Sequence, residues 1–299
     1  MNIFVTGATG YIGGTIARRL LDDGHRVRGL VRDTEKARGL ASFGVEPVTG
    51  SLDDAAMLMA EARRADAVVN TANSDHRGAV EALLEGLAGS DKPFIHTSGS
   101  SILADDAHGD IASEKIYDED TPFEPVPGKQ SRVAIDRTIR DASRRGVRSI
   151  VVCPTMIYGN GLGLARDSAQ IPGLARRAKA TGVVRHVGKG LNIWSNVHVE
   201  DVADLYRLAL AGAPAGSFYF AENGEASYRD ICAAIARRLK LGEPQAWPFE
   251  DAAKELGENS AAYTFGSNSR VRARRARREL GWQPRHSSAT VWIEAELSL

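Results

Sequence analysis

Three glycines near the start of the chain have a spacing that suits phosphate binding. Gly7, Gly10 and Gly13 form G-x-x-G-x-x-G, one residue wider at the first gap than the dinucleotide-binding fingerprint. An apolar run precedes them, and apolar residues follow at four-residue steps from Ile12 to Leu20, which predicts a strand, a turn and an amphipathic helix. Because the N-terminus of such a helix attracts anions, this segment predicts a site for a dinucleotide pyrophosphate.

The end of the second predicted strand selects between the two nicotinamide dinucleotides. Arg32 stands there, with Lys36 close behind, and a guanidinium can hold a ribose 2′-phosphate through two parallel hydrogen bonds. An acidic residue at the same place would bind the ribose 2′-hydroxyl instead. Arg32 therefore favours NADP(H), unless it is only a solvated surface residue. Asp33 keeps NAD(H) open, because a shift of one residue would bring its carboxylate to the ribose.

The elements that must position these residues follow from an alternation of apolar runs and helical patterns. Strands are predicted at 2–6, 26–31, 45–49, 66–71, 94–98 and 149–153, and helices near 11–23, 53–64, 78–89 and 131–145. After residue 154 the pattern loosens, and it then predicts a helix at 201–211, a strand at 216–221 and a helix at 227–240. The alternation predicts an α/β fold with a doubly wound parallel sheet, the Rossmann fold, whose ligands bind beyond the carboxyl ends of the strands.

The two parts of the chain are expected to differ in role. Residues 1–155 are predicted to form the dinucleotide-binding Rossmann core, with later returns to it near 191–221. Residues 156–299 are predicted to form mainly a smaller C-terminal substrate lobe. Since neither repeats nor a low-complexity linker separate the two parts, the lobe is not expected to be an independent domain.

Composition limits the partners of the protein. The 299 residues include 38 lysines and arginines and 38 aspartates and glutamates, so charge gives no reason to expect nucleic acid or an anionic membrane as partner. The basic run at 270–278 is interpreted as a solvated helix that ends before Gly281. The 2 cysteines suggest neither a disulfide framework nor a metal site, and no apolar run reaches the roughly 20 residues of a membrane span. With a strand starting at residue 2, we expect no targeting peptide and a cytoplasmic protein.

Short motifs recur where the predicted strands and helices meet the expected cleft. They are TGATGYIG at 6–13, TGSL at 49–52, VNTAN at 69–73, FIHTSGSS at 94–101, PTMIYG at 154–159, VHVEDVA at 197–203 and LGWQP at 280–284. With these motifs the chain resembles the extended short-chain dehydrogenase/reductase family, which comprises nucleotide-sugar epimerases, dehydratases and dihydroflavonol-reductase-like enzymes. It departs from the family at Ser51, where Asp is usual. The resemblance implies a nicotinamide cofactor held by Gly7, Thr9, Gly10, Tyr11, Ile12, Gly13, Arg32, Ser51, Leu52, Thr71, Ala72, Asn73, Thr97, Ser98, Arg132, Pro154 and Met156.

The catalytic pattern of that family is missing from this chain. The family's reductive chemistry relies on a tyrosine as acid and base, a lysine four residues later, and a serine or threonine that orients the substrate carbonyl. Aligned on Ser131 and Asp136, the chain has Gly128 at the tyrosine position and Arg132 at the lysine position, and it contains no Y-x-x-x-K. Gly99 stands where the serine is usual, with a hydroxyl residue on either side. The sequence therefore predicts an atypical active site.

Three interpretations of the missing pattern remain open. Arg132 can still bind the nicotinamide ribose, although a guanidinium donates no proton near neutral pH. The proton can come from Tyr117, Tyr158, Lys129 or a water, and each of these side chains also has a purely structural explanation. The third interpretation is a protein that binds NADP(H) as a sensor or regulator without catalysis. The candidate catalytic residues are Ser98, Ser100, Tyr117, Lys129 and Tyr158.

Trp194 bears on the substrate. Nucleotide-sugar epimerases carry an arginine for the diphosphate four residues before the position of His198, and this chain has Trp194 there. An indole in place of a bidentate phosphate clamp favours a more apolar substrate over a nucleotide sugar, although a core-filling role for Trp194 stays open. The glycine-rich residues 158–164 predict a mobile loop over the site. The candidate substrate-binding residues are Ser100, Asn160, Gln170 and Trp194.

These observations favour one function and leave one rival. The favoured function is an NADP(H)-dependent oxidoreductase of the extended short-chain dehydrogenase type, acting on a small non-nucleotide carbonyl or alcohol. The rival is a catalytically silent NADP(H)-binding sensor or regulatory protein. The resemblance further implies a possible homodimer through the helix at 131–145.

Overall fold

The computed structural model describes residues 1–298. The strands are Asn2–Thr6 (β1), Arg26–Val31 (β2), Glu46–Thr49 (β3), Ala67–Asn70 (β4), Pro93–Thr97 (β5), Arg148–Pro154 (β6), Met156–Tyr158 (β7), Arg185–Val187 (β8), Ile193–His198 (β9), Ser217–Ala221 (β10), Glu225–Ser227 (β11) and Gln245–Trp247 (β12). The helices are Tyr11–Asp22 (α1), Thr34–Ser42 (α2), Ala55–Arg64 (α3), Arg77–Leu87 (α4), Gln130–Asp141 (α5), Gln170–Thr181 (α6), Val199–Gly212 (α7), Tyr228–Leu239 (α8), Phe249–Leu256 (α9), Arg274–Leu280 (α10) and Ala289–Glu296 (α11). A π-helical segment, Ser260–Phe265, precedes α10.

Seven strands form one parallel sheet in the order β3-β2-β1-β4-β5-β6-β10. Every residue of β4 and β5 is buried, as expected for a parallel sheet that helices cover on both faces. The strand order reverses between β1 and β4, which leaves a crevice at the carboxyl ends of these strands. The predicted α/β fold with a doubly wound parallel sheet is confirmed.

A second apolar core lies beside the main sheet. β7, β9 and β11 form a three-stranded sheet, and α6, α8 and α11 pack with it through buried residues that include Trp194, Tyr228 and Trp292. β8 and β12 form a parallel pair. The segment predicted to return near 191–221 divides between the two regions, because β10 joins the main sheet while β9 pairs with β7 and β11.

Several helices differ from the sequence patterns, which indicated neither α9 nor α11. No pattern indicates α2, because Leu40 is its one buried residue and apolar periodicity is therefore weak. The helix predicted at 131–145 is α5 followed by a 3₁₀ turn over Ala142–Arg145.

The basic run near the C-terminus is helical only in part. α10 starts at Arg274 and ends before Gly281, which adopts the left-handed conformation with a φ of 63°. Arg270 and Arg272 lie before the helix, and both form ion pairs with Glu225. Within residues 1–298, no helix is long and apolar enough to cross a membrane.

Candidate active site

The glycine turn after β1 has a geometry that requires glycine. Gly7 has a φ of 77°, and the Gly10 N–H donates to the Gly7 carbonyl at 2.8 Å. A Cβ on Gly13 would lie 2.3 Å from both the Gly7 carbonyl oxygen and Thr71 Oγ1, so α1 approaches β4 too closely for any other residue. No side chain caps α1 at Gly10, which leaves the N–H groups of its first turn for an anion beside them. The turn therefore fits a dinucleotide pyrophosphate.

A continuous cleft runs from this turn along the carboxyl ends of the strands, and its two halves share Gly10, Thr71 and Ala72. The half that we call the cofactor end has a volume of about 430 Å³. Of the predicted cofactor residues, it is lined by Gly7, Thr9, Gly10, Arg32, Ser51, Leu52, Thr71, Ala72 and Asn73. The half that we call the reaction end has a volume of about 680 Å³. Of the predicted site residues, it is lined by Gly10, Tyr11, Ile12, Gly13, Thr71, Ala72, Ser98, Ser100, Pro154, Gln170 and Trp194.

The cofactor end presents cations where the second strand stops. Arg32 and Lys36 both line it, whereas Asp33 does not. The Asp33 carboxylate caps α2 by accepting the Lys36 N–H at 2.8 Å, and this hydrogen bond lowers the pKa of Asp33. The Lys36 ammonium lies 3.5 Å from the same carboxylate. The first turn of α2 therefore engages the Asp33 carboxylate, and the cationic residues that line the cofactor end are Arg32 and Lys36.

Two serines after β5 face the reaction end, and each has a buried partner. Ser98 Oγ donates to Asp136 Oδ2 at 2.7 Å, and burial raises the pKa of Asp136 to about 7. Ser100 Oγ accepts from Ser269 Oγ at 2.9 Å. Because Ser100 accepts this bond, its own proton is available to a substrate oxygen, whereas Ser98 can donate to one only when Asp136 is protonated and donates to Ser98.

Arg132 on α5 lies beside the reaction end but does not line it. Its guanidinium forms a two-point ion pair with Asp75, with Nε 2.8 Å from Oδ1, and this hydrogen bond lowers the pKa of Asp75. Arg132 Nη1 lies 3.4 Å from the hydroxyl oxygen of Ser101, which does line the cleft. A cation held by Asp75 thus occupies the position that aligns in sequence with the family lysine.

An aromatic ring lies beside Gly128, the residue that aligns in sequence with the family tyrosine. A Cβ on Gly128 would lie 3.3 Å from Tyr263 Cε2 and 3.8 Å from the Tyr263 hydroxyl oxygen. Lys129 Nζ lies 5.3 Å from the centre of the same ring, and burial lowers the pKa of Lys129. Neither Tyr263 nor Lys129 lines the cleft, although the neighbouring residue Thr264 does.

The other two tyrosine candidates lie away from the cleft. Tyr158 is buried in the second core, where its ring contacts His198 and Trp292 and burial raises its pKa. Tyr117 packs edge to face against Phe123, with ring centres 6.3 Å apart. The structure therefore brings Ser98 and Ser100 to the reaction end, but not these two phenols.

Three predicted binding residues also lie outside the lining of the cleft. Thr97 is buried and its hydroxyl lies 2.6 Å from the Tyr206 hydroxyl. Met156 belongs to the second core. Asn160 is half-buried in the loop after β7.

The loop predicted to be mobile is bonded to α1. The Tyr11 hydroxyl donates to the Gly159 carbonyl at 2.8 Å, and the Leu162 N–H donates to Thr15 Oγ1 at 3.1 Å. These contacts hold the loop against the helix that carries the glycine turn.

On the substrate side, the reaction end is lined by one indole ring and one arginine, and that arginine is already in an ion pair. Trp194 lines this end, although the residue is 4% exposed and packs in the second core, and its indole N–H donates to the Ser267 carbonyl at 2.7 Å. Arg176 also lines this end, but its guanidinium pairs with Asp167 at 2.7 Å. This lining suits an apolar or aromatic ligand better than a diphosphate.

Sequence motifs did not identify some of the residues in and beside the site. In the sequence Asp136 is only an alignment anchor, and Thr264 and Ser269 lie in a segment without a motif. Of these, Thr264 lines the cleft, Ser269 donates a hydrogen bond to Ser100, and Asp136 accepts one from Ser98. The segment with Thr264 and Ser269 is placed there by the pairing of Ser269 with Trp194 of β9. No local signal in the sequence announces that pairing.

The parallel sheet, the glycine turn and the cleft define an NAD(P)-binding Rossmann protein. The model of the NAD dependent epimerase/dehydratase family matches residues 3–219. The chain belongs to this family, and the resemblance to extended short-chain dehydrogenases noted from its motifs is confirmed.

Similar proteins have names from oxidoreductase and dehydratase chemistry. Oxidase ucsJ of an Acremonium species is 33% identical over 94% of this chain and 92% of its own. The 4-hydroxy-2-methyl-3-oxo-4-farnesyl-3,4-dihydroquinoline-1-oxide ketoreductase of Stigmatella aurantiaca is 27% identical over 95% of this chain and 92% of its own. The crystal structure of dTDP-glucose 4,6-dehydratase from Bacillus anthracis in complex with NAD has a TM-score of 0.77, covers 98% of this chain and 94% of its own, and is 18% identical. At that identity the structural match shows the fold alone.

Proposed function

We propose that the protein is an NADP(H)-dependent oxidoreductase that interconverts a small, non-nucleotide carbonyl compound and its alcohol. The observation that carries this proposal is the continuous cleft from the glycine turn to the hydroxyls of Ser98 and Ser100. Its first half suits a dinucleotide, and its second half offers hydrogen-bond donors to a substrate oxygen. Similarity to proteins named as a ketoreductase and an oxidase supports the same class of reaction.

The preference for NADP(H) rests on the cations at the cofactor end. Arg32 and Lys36 face the place where a 2′-phosphate would lie, and a guanidinium binds phosphate in a bidentate manner. Asp33, the residue that would favour NAD(H), has its carboxylate on the first turn of α2. This arrangement supports Arg32 as the residue that selects the cofactor.

The proposed substrate is apolar or aromatic around its carbonyl. Trp194 lines the reaction end, and Arg176, which could bind a phosphate, is paired with Asp167. A nucleotide sugar would need a cation for its diphosphate, so the lining favours a ligand without one.

The residues of this chain would bind, orient and hydrogen-bond in the proposed reaction. When bound, NADP(H) supplies or accepts the hydride. The first turn of α1 would bind the pyrophosphate, and Arg132, held by Asp75, would approach the nicotinamide ribose. Ser98 and Ser100 would orient the substrate oxygen through their hydroxyls. We place this activity in the cytoplasm and keep a homodimer through α5 as a prediction.

A titration of the purified protein with NADPH and with NADH, read by nicotinamide fluorescence, tests the proposal. We expect tighter binding of NADPH, followed by NADPH oxidation when a panel of aromatic and aliphatic ketones is added. Binding of neither dinucleotide would contradict the proposal, and equal affinities would contradict the role of Arg32.

One observation favours a second candidate function. Gly128 replaces the family tyrosine, so the chain has lost the usual proton donor. A protein that binds NADPH tightly, but oxidises it with none of the ketones, would be the catalytically silent sensor or regulator.

A further inference from the structure

A second cavity lies beside α5, outside the cleft. Its volume is about 400 Å³, and Asp136 and Arg137 of α5 contribute to its lining together with Phe218 and Phe220 of β10. Arg137 is exposed, so the cavity opens to solvent at that side. The proposed function assigns no role to this cavity.

Asp136 lies between this cavity and the reaction end of the cleft. The residue is 4% exposed, and its Oδ2 accepts a hydrogen bond from Ser98 Oγ at 2.7 Å. Its other carboxyl oxygen, Oδ1, is buried without a hydrogen-bond partner among residues 1–298. Ser98 lines the reaction end, and Asp136 lines the second cavity. One hydrogen bond therefore joins the two spaces.

We infer that Ser98 and Asp136 form a proton relay from the second cavity to the reaction end of the cleft, in place of the missing tyrosine. The inference rests on the proposed function, because it supplies the proton for the carbonyl reduction. Ser98 is the group that touches the substrate oxygen, and Asp136 acts through Ser98 as a positioning and proton-storing residue.

The surroundings of Asp136 favour a carboxyl group that holds a proton near neutral pH. The titratable and charged groups that face it are Arg132 and Arg140 on α5, Cys153 on β6, Asp75 in the loop after β4, and Glu119 across the second cavity. Burial outweighs the hydrogen bond from Ser98 and the two arginines, and it raises the pKa of Asp136 to about 7. A protonated Asp136 can donate to Ser98 across the same 2.7 Å contact.

Ser98 and Asp136 together can supply the one proton that the reduction consumes. The carbonyl carbon gains a hydride from NADPH, which becomes NADP⁺, and the π electron pair of the C=O bond moves to the oxygen. That oxygen takes the Ser98 hydroxyl proton as Ser98 takes the proton of Asp136. The Asp136 carboxylate then takes up one proton from bulk solvent through the second cavity, so each reduction consumes one H⁺ and the starting state is restored. Alcohol oxidation runs through the same steps in reverse.

Tyr263 is the main rival as proton donor. Its ring lies beside Gly128, where the family has its tyrosine, but Tyr263 does not line the cleft, whereas Ser98 does. A Tyr263→Phe variant removes only the hydroxyl and therefore separates the two donors.

The first arm of the test measures the protonation of Asp136 without cofactor or substrate. Ordinary carboxyl groups are ionised above about pH 6. We expect infrared spectra of the wild type at pH 6 to contain a protonated-carboxyl band that disappears by pH 8 and is absent from Asp136→Asn at both values. Ser98→Ala should shift that band, because it removes the hydrogen bond to the carboxyl. Subtraction of the Asp136→Asn spectrum separates this band from any contribution of Glu119, whose pKa burial also raises. An Asp136 carboxyl that is already ionised at pH 6 would overturn the relay.

The second arm measures proton delivery during turnover. The probe is 9,10-phenanthrenequinone, an apolar aromatic dicarbonyl, reduced with NADPH. Ser98→Ala and Asp136→Asn should each lower kcat by about 100-fold, with the affinity for NADPH retained. The wild-type rate of reduction should fall as pH rises through 7, and Asp136→Glu should restore part of kcat with a shifted pH profile. Asp120→Asn, which changes an exposed acid of the same cavity, should leave kcat unchanged.

The possible outcomes distinguish a failure of the proton relay from a failure of the proposed function. Unchanged kcat in Ser98→Ala and Asp136→Asn overturns the relay, and a loss of kcat confined to Tyr263→Phe assigns the proton to that ring. A wild type that binds neither dinucleotide, or does not oxidise NADPH, counts against the proposed function. In that case the infrared arm decides alone whether Asp136 stores a proton coupled to Ser98.

Discussion

The two ends of the cleft are built in different ways. The cofactor end depends on backbone geometry, because Gly7 and Gly13 allow α1 to approach β4 and expose its first N–H groups. The reaction end is lined by side chains from the segment after β5, from β9 and α6, and from the segment before α10, and the chain contains no Y-x-x-x-K. Pyrophosphate binding requires a fixed set of N–H groups, whereas proton transfer requires one donor within reach. We therefore expect cofactor binding to depend on the backbone of the fold, whereas proton transfer should depend on individual side chains.

The largest effect on the cofactor end is expected from Gly13→Ala, which should abolish NADPH binding. The added Cβ would lie 2.3 Å from the Gly7 carbonyl oxygen, so the turn must open, at a cost of about 1–3 kcal/mol in the free energy of unfolding. We expect no saturable NADPH fluorescence. Gly173→Ala on α6 is the control, because no atom lies within 4 Å of its new Cβ. An unchanged affinity for NADPH would show that the turn is not the pyrophosphate site.

Arg32→Asp should change the cofactor rather than abolish binding. Losing a charge-assisted bond of about 1.5–3 kcal/mol corresponds to roughly a 10- to 100-fold shift in the ratio of NADPH to NADH affinity. The measurement is a pair of fluorescence titrations. Arg38→Asp makes the same charge change at an exposed residue that does not line the cleft, and it should leave the ratio unchanged. A constant ratio in Arg32→Asp would remove that residue from the site.

Arg132→Ala tests whether helix α5 contributes to cofactor binding. Arg132 is paired with Asp75 and reaches Ser101 of the cleft, so its loss should weaken NADPH binding by about tenfold, or about 1.4 kcal/mol. Arg132→Lys keeps the charge and should lose less. Equal affinities for the wild type and Arg132→Ala, compared by calorimetry, would mean that α5 does not contact the cofactor.

The smallest expected effect concerns the pH dependence of stability. Because the pKa of Asp136 in the folded protein is raised to about 7, its stabilising contribution is complete below its pKa in the unfolded chain and is lost as pH rises through 7. Between pH 6 and pH 7 this carboxyl should lower the free energy of unfolding by about 1 kcal/mol, and Asp136→Asn should remove that part of the decrease. Urea unfolding of both proteins at the two pH values measures it. Parallel pH dependences would contradict a protonated Asp136.

The cofactor end of the cleft could be predicted from the sequence, whereas the positions of the candidate catalytic residues could not. β1, α1 and the end of β2 are adjacent in the chain, so their apolar periodicity and glycine spacing are enough to locate the cofactor end. The placement of Tyr158 does not follow in this way, because a tyrosine in a Y-G turn suits both a pocket and a core. It is buried against Trp292 of α11, a helix that the sequence patterns did not indicate.

The sequence by itself determined the parallel Rossmann sheet, the glycine turn and the cation after the second strand. These features depend on residues close together in the chain, where local backbone preference and apolar period act. Only the tertiary structure decided that Asp33 caps α2, that Ser98 bonds Asp136, and that Tyr263 lies beside Gly128. The last two contacts join segments far apart in the chain, and the first depends on which of two orientations the carboxylate adopts. Packing and burial settle the last two contacts, which no local pattern records, whereas the exposed Asp33 is held by the first turn of α2.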